Sequence, residues 1–189
     1  EEIIARDYLV HERPDVIINV VDATNLERNL YLTVQLMELD IPIVMALNIY
    51  DEAKKKGYKF DIKEMEEMLN VKVVPTVATK KKGLEDLMSA LLEIAENPTS
   101  HLPKALNYGE DIQEALSKLK AEIVNKYPYL VERYPLRWLL FKLMEGDEYV
   151  YREINVPIEE LNLDMVTSHI KKAHGSDIES LMADARYAQ

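Results

Sequence analysis

Three short apolar runs rich in β-branched residues set the strongest limit on what this chain folds into: VIINVV (Val16 to Val21), PIVMALN (Pro42 to Asn48) and VKVVPT (Val71 to Thr76). Each has the length and composition of a strand. Segments of helical period and crossover length separate them, at Leu26 to Leu39 and Ile62 to Leu69, and a third follows at Leu84 to Ala95. This alternation predicts βαβ units and a parallel sheet, and runs so apolar predict strands covered on both faces. The pattern stops at ENPTSHLPK (Glu96 to Lys104), where Pro98, Pro103 and polar turn formers interrupt it. The sequence therefore predicts a boundary between residues 1–97 and 98–189. Beyond it apolar residues recur only at helical spacing, in Ile112 to Val124, Leu136 to Met144, Met165 to Ala173 and Ile178 to Ala185. Gly175 reads as the end of the third of these helices and Asp177 as the start of the last. The expected fold class is α/β followed by an all-α helical domain, without internal repeats.

What the chain lacks narrows its function. Its five glycines stand at 57, 83, 109, 146 and 175, too far apart for GxGxxG or for the GxxxxGK[ST] phosphate loop. Zero Cys excludes disulfides, thiolate nucleophiles and Cys-based metal sites. A formal charge of −11 argues against nucleic acid as a partner. The longest uncharged apolar stretch, Ile41 to Tyr50, is about half the roughly 20 residues that a membrane-spanning helix needs. The opening EEIIARDYLV has no initiator Met, basic n-region or apolar signal core, and reads as a segment of a longer protein.

Ligands of open parallel sheets bind beyond the carboxyl ends of the strands, so those ends carry the chemistry. The second run leads into ALNIYDEAKK, with Asn48 and Asp51 three residues apart, and the third leads into PTVATKKKG. An Asp carboxylate there can accept from both the ring N–H and the exocyclic amine of guanine, a bidentate contact that adenine does not offer. The Asn amide can tie neighbouring loops together, and a backbone N–H near Ala78 can donate to the guanine oxygen. Such a site rejects the wrong base by a factor of about 10⁴. The plainer reading is that Asp51 caps the short helical stretch EAKKK.

The order of these pieces resembles the later half of a Ras-like guanine-nucleotide-binding domain, and four strings resemble the ferrous iron transport protein B family. They are VVDATNLERNLYLT (Val20 to Thr33), ALNIYDEAKKKG (Ala46 to Gly57), RWLLFKLMEGD (Arg137 to Asp147) and ADARY (Ala183 to Tyr187). The resemblance implies part of a Ras-like P-loop GTPase fold with a helical regulatory domain behind it. That domain would be of the guanine-dissociation-inhibitor-like kind, on the cytoplasmic side of a membrane and leading into a ferrous iron permease portion. Asn48 and Asp51 match the family's base-recognition pair, and Val77, Ala78 and Thr79 its following base loop. Thr79 stands where the wider Ras-like pattern has Lys. EEIIARDYL matches the helix after the second switch. The implied ligand is GTP or GDP. Mg²⁺ is expected in the intact protein, but the phosphate loop, first switch and Asp-x-x-Gly motif that hold triphosphate and metal have no counterpart in these residues. The fragment alone is therefore expected not to hydrolyse GTP. With the neighbouring strand missing, VIINVVDA is expected to form a bare apolar edge through which the fragment self-associates.

Other candidates have simpler uses. His169 and His174 are five apart, which does not place both on one helical face, and with His11 and His101 they give no metal pattern. Asp22 in DATN reads as a turn residue. The KKK runs at 54–56 and 80–82 read as solvated loop charges. Tyr127, Tyr129, Tyr134 and Trp138 read as core and interdomain packing. Arg137, Trp138, Asp184, Arg186 and Tyr187 allow either bundle packing with surface ion pairs or a role at the junction with the permease. Two other functions stay open: an acidic interaction module without nucleotide, and an enzyme using another phosphorylated ligand at the same strand ends.

Overall fold

A computed structural model describes residues 2–163, 166–168, 170 and 178–188. The chain divides into two compact units, residues 12–105 and residues 1–11 with 106–189.

The first unit holds a three-stranded parallel sheet in the order β1 (Ile17–Asp22), β2 (Ile43–Asn48), β3 (Lys72–Pro75). Register pairs Ile17 with Ile43 and Asp22 with Asn48, so both strands end at one level, and Leu47 pairs with Pro75. Central β2 is apolar along its length because both faces are covered. On one face α5 (Leu84–Glu96) packs Ala90 and Ile94 against Val44 and Val74. Within α2 (Leu26–Met37), Thr33 accepts a buried hydrogen bond from the Asn19 amide at 2.7 Å. β1 departs from the expectation of two covered faces. Ile17, Asn19 and Val21 are buried, but Ile18 and Val20 are 45% and 62% exposed, because β1 is the sheet's edge and α5 lies over β2 and β3.

Short helices α3 (Tyr50–Lys55) and α4 (Ile62–Leu69) lie between β2 and β3. Asp61 caps α4 by accepting from the Glu64 N–H at 3.0 Å. The stretch after α5 stays with the sheet. Lys104 N–H donates to the Leu69 carbonyl at 3.0 Å, and the Asn70 amide donates to the Leu102 carbonyl at 2.6 Å. The division thus falls after residue 105 and not at the prolines.

The second unit is helical: α1 (Glu2–Glu12), α6 (Glu110–Lys126), α7 (Pro128–Arg133), α8 (Leu136–Glu145), α9 (Glu148–Ile154) and α10 (Ile178–Tyr187). Its core is built from Leu119, Ile123, Leu130, Tyr134, Leu139, Phe141, Leu143 and Met182. α1 belongs here although it precedes the sheet in sequence. Arg6 pairs with Asp147 at 3.3 Å, the Tyr149 hydroxyl donates to Asp7 at 2.8 Å, and His11 Nε2 lies 2.9 Å from Glu153. Of the aromatic cluster, Tyr134 and Trp138 are buried and stacked, whereas Tyr129 is exposed and the Tyr127 hydroxyl bonds Glu160. Glu145 of RWLLFKLMEGD meets Arg186 of ADARY in a buried ion pair, and Lys142 lies 2.7 Å from the same carboxylate. Arg186 is thus a core residue and not a surface partner. The stretch Met165 to Ala173, with His169, His174, Gly175 and Asp177, falls wholly or partly outside the described residues.

Candidate functional site

The carboxyl ends of β2 and β3 are stitched together beyond the last strand pair. Thr76 N–H donates to the Leu47 carbonyl at 2.9 Å, and Tyr50 N–H donates to the Thr76 carbonyl at 3.2 Å. Between Asn48 and Tyr50 the chain turns through Ile49, whose φ of 58° is left-handed, and α3 starts at once. The turn keeps Asn48, the last residue of β2, and Asp51, in the first turn of α3, together at one mouth.

Asn48 is the hub. Its Oδ1 accepts from the Ala78 N–H at 3.0 Å and from the Thr76 hydroxyl at 3.3 Å, so one side-chain oxygen fixes the entry of the third strand's loop. Its own carbonyl accepts from the Ala23 N–H at 2.9 Å, which ties in the end of β1. Asp22 is used locally: Oδ1 accepts from the N–H and the hydroxyl of Thr24 at 2.7 and 2.8 Å, the turn role its sequence predicts.

Asp51 does not cap α3. The helix begins at Tyr50 and its N-cap is Ile49, so the carboxylate sits inside the first turn. One oxygen accepts from the adjacent Glu52 N–H at 3.1 Å, and the other pairs with the Lys80 ammonium. That hydrogen bond is the main cause holding the Asp51 carboxyl below its ordinary range. It is a charged acceptor at the mouth, and its Lys80 partner is more exposed than it is.

The loop after β3 has a fixed form. Val77 and Lys82 form an antiparallel bridge with N–H to carbonyl bonds of 3.0 and 3.2 Å in the two directions, enclosing a 3-10 turn at Ala78–Lys80. Val77 is buried, whereas Ala78 and Thr79 face outward. Gly83 closes the loop at φ +77°, and a Cβ there would stand 2.3 Å from the Pro75 carbonyl oxygen, a contact only glycine avoids. The structure thus brings Asn48, Asp51, Val77, Ala78 and Thr79 to one end of the sheet.

Sequence reasoning missed two participants. Thr76 is buried and its hydroxyl shares Asn48; its place at the end of an apolar run was the available signal. Lys80 belongs to a KKK run that sequence alone reads as solvated, and its pairing depends on loop geometry that composition does not carry. Of the other lysines there, Lys55 pairs with Glu52 at 2.6 Å and Lys54 lies 5.7 Å from the centre of the Tyr50 ring. A cleft of about 560 Å³ lies within the helical unit, lined by Tyr108, Asp111, Leu181 and Asp184, and has none of the predicted guanine residues on its walls. Among the described residues no three His, Asp or Glu side chains are grouped to hold a metal, and no helix is long and apolar enough to cross a membrane.

Comparison with known proteins covers both units. A family profile described as ferrous iron transport protein B matches residues 1–91, and one described as the FeoB cytosolic helical domain matches residues 108–189. A Porphyromonas gingivalis protein named Fe(2+) transport protein A/Fe(2+) transporter FeoB fusion protein is 39% identical over 199 residues, which are 99% of this chain and 23% of that protein. The chain thus spans about a quarter of the length of the curated relatives it matches. Among solved structures, mGMPPNP-bound NFeoB from S. thermophilus superposes with a TM-score of 0.86 at 33% identity, covering 100% of this chain and 69% of that one. NFeoB from S. thermophilus bound to GDP.AlF4- and K+ gives 0.85 at 34% identity, covering 99% and 71%.

Proposed function

The chain belongs to the ferrous iron transport protein B family, and from that premise we propose that its sheet unit reads the base of GTP or GDP while its helical unit responds to occupancy. Asp51 accepts the two N–H donors of the guanine edge, Asn48 holds the base loop, and the Ala78 N–H turns from Asn48 toward the guanine oxygen or is shared with it. Val77 and Thr79 frame the loop. The observation that supports this most is the hub at Asn48 Oδ1, which joins Thr76 and Ala78 beside a solvent-facing Asp51. Nucleotide complexes of similar proteins, with mGMPPNP and with GDP.AlF4-, support the ligand class.

In the larger protein, GTP hydrolysis would gate ferrous iron passage through a permease portion, with this segment on the cytoplasmic side of the membrane. Mg²⁺ would accompany the triphosphate there. These residues include no phosphate loop, so the segment's own share is base recognition and not phosphoryl transfer. The β1 edge, with Ile18 and Val20 exposed, favours self-association of the isolated segment through residues 16–22. Sedimentation should show mass rising with concentration, and Val20→Lys should abolish the rise; a monomer at all concentrations would contradict it.

The test of base reading is calorimetric titration with GDP and ADP. Binding of GDP alone, lost in Asp51→Ala, is the expected result. Equal binding of both nucleotides would refute the guanine assignment, and a folded chain that binds neither would return the pair to a purely structural role.

A further inference from the structure

The carboxylate that faces the base is already engaged. One oxygen of Asp51 pairs with Lys80, which lies 29 residues further along the chain. The loop is shaped to deliver that cation. Its ends are closed by the Val77 to Lys82 bridge, its entry is held by Ala78 on Asn48, and its exit is pressed against the Pro75 carbonyl through Gly83. Lys80 is the third residue of the enclosed 3-10 turn, and Lys81 reverses the chain at φ 54°. The nearby cations of α3 are turned elsewhere, Lys55 to Glu52 and Lys54 to the Tyr50 ring.

A carboxylate that accepts both N–H groups of guanine presents both oxygens to the base. Here one oxygen holds the Glu52 N–H and the other holds the ammonium, so an incoming base competes with an internal donor. We propose that Lys80 is a latch on the base site, occupying Asp51 until guanine displaces it and thereby setting the rate of nucleotide uptake. The inference rests on the guanine reading of Asn48, Asp51 and Ala78. A latch of this kind exists only in the empty site, so it slows association and leaves dissociation untouched. Its side chains are 26% and 55% exposed, and an exposed ion pair is weak, so the effect is about two- to fivefold.

Two measurements on the 189-residue chain test this. Stopped-flow binding of a fluorescent GDP analogue is compared among the native chain, Lys80→Met, Lys80→Arg, Asp51→Ala and Lys56→Met, the last making the same charge change away from the pair. Carbon NMR follows the Asp51 carboxyl through its titration, which needs no nucleotide. The latch predicts faster association in Lys80→Met, by about two- to fivefold over Lys56→Met, with dissociation unchanged. Lys80→Arg should be no faster than the native chain, and Asp51 should titrate at higher pH once Lys80 is gone. Equal association rates in Lys80→Met and Lys56→Met, or an Asp51 titration indifferent to Lys80, would overturn the latch. Faster dissociation in Lys80→Met would also overturn it, by placing the lysine on bound nucleotide. Should Asp51→Ala bind GDP as well as the native chain, or should no variant bind it, the guanine reading itself fails and the latch falls with it.

Discussion

At the mouth of the sheet Asp51 and Lys80 meet with side chains 26% and 55% exposed, whereas in the helical unit Glu145 and Arg186 meet with side chains 9% and 3% exposed. The two pairs are alike in chemistry and differ in what can replace them. The first is open to water, so breaking it leaves two solvated ions and little cost. The second is closed to water, so removing its carboxylate takes the counterion from a guanidinium in the core. Glu145 also holds Lys142 at 2.7 Å, and the Arg186 guanidinium lies 5.8 Å from the centre of the Phe141 ring, so α8 and α10 are pinned from several directions. An accessible pair is compatible with the proposed base site, and a buried one suits a joint that must not move.

The sharpest way to break that contrast is Glu145→Gln, which takes the shared carboxylate from both Arg186 and Lys142. It should cost about 3 kcal/mol of stability in urea denaturation, with Arg186→Met in the same chain restoring part of the loss. A loss no larger than that of a surface pair would contradict the assignment. Next is Gly83→Ala, where the positive φ and the Pro75 carbonyl both oppose a Cβ; about 2 kcal/mol should be lost, together with the base loop's form. Amide shifts of Val77 and Ala78 would report the second effect.

Tyr134 sharpens the helical side of the comparison. Its buried hydroxyl donates to Glu153 at 3.2 Å, and burial first, then the Glu153 charge, push its pKa up to about 12. Because the folded value lies above the unfolded one, this contribution to stability is intact below the ordinary tyrosine range near 10 and is lost as pH rises toward 12. Denaturation midpoints should therefore fall across that window, and Tyr134→Phe should flatten the fall. The smallest effect is expected at the sheet's mouth: Asp51→Ala should leave the unfolding midpoint where it was while removing base preference.

Legibility followed the same divide. Strands, crossovers and bundle helices were readable because burial imposes a period on the sequence, and the three strands lie where the apolar runs lie. Helices α7 and α9 were not, since each is a single short element set by Pro128 at its start or by Asp147 accepting from the Tyr149 and Val150 N–H groups, with too few turns to show a period. Membership of α1 in the helical unit was invisible for another reason. It depends on partners more than 140 residues away, Asp147 and Tyr149, that local pattern does not encode. At the site, Asn48 and Asp51 could be picked out because they stand three residues apart where an apolar strand run ends. Lys80 could not, because one of three consecutive lysines is selected by the turn between Val77 and Lys82. Likewise ADARY and RWLLFKLMEGD were visible as strings, but their meeting through Arg186 and Glu145 required the fold.

The central claim is that Asp51 reads the base edge, and a change of one atom group tests it. Asp51→Asn replaces an acceptor by a donor, which opposes the guanine amine and matches the carbonyl that xanthine carries in its place. Competition binding with GDP and xanthosine diphosphate should show preference for GDP in the native chain and for the xanthine nucleotide in Asp51→Asn. Unchanged preference in the variant would show that Asp51 does not touch the base.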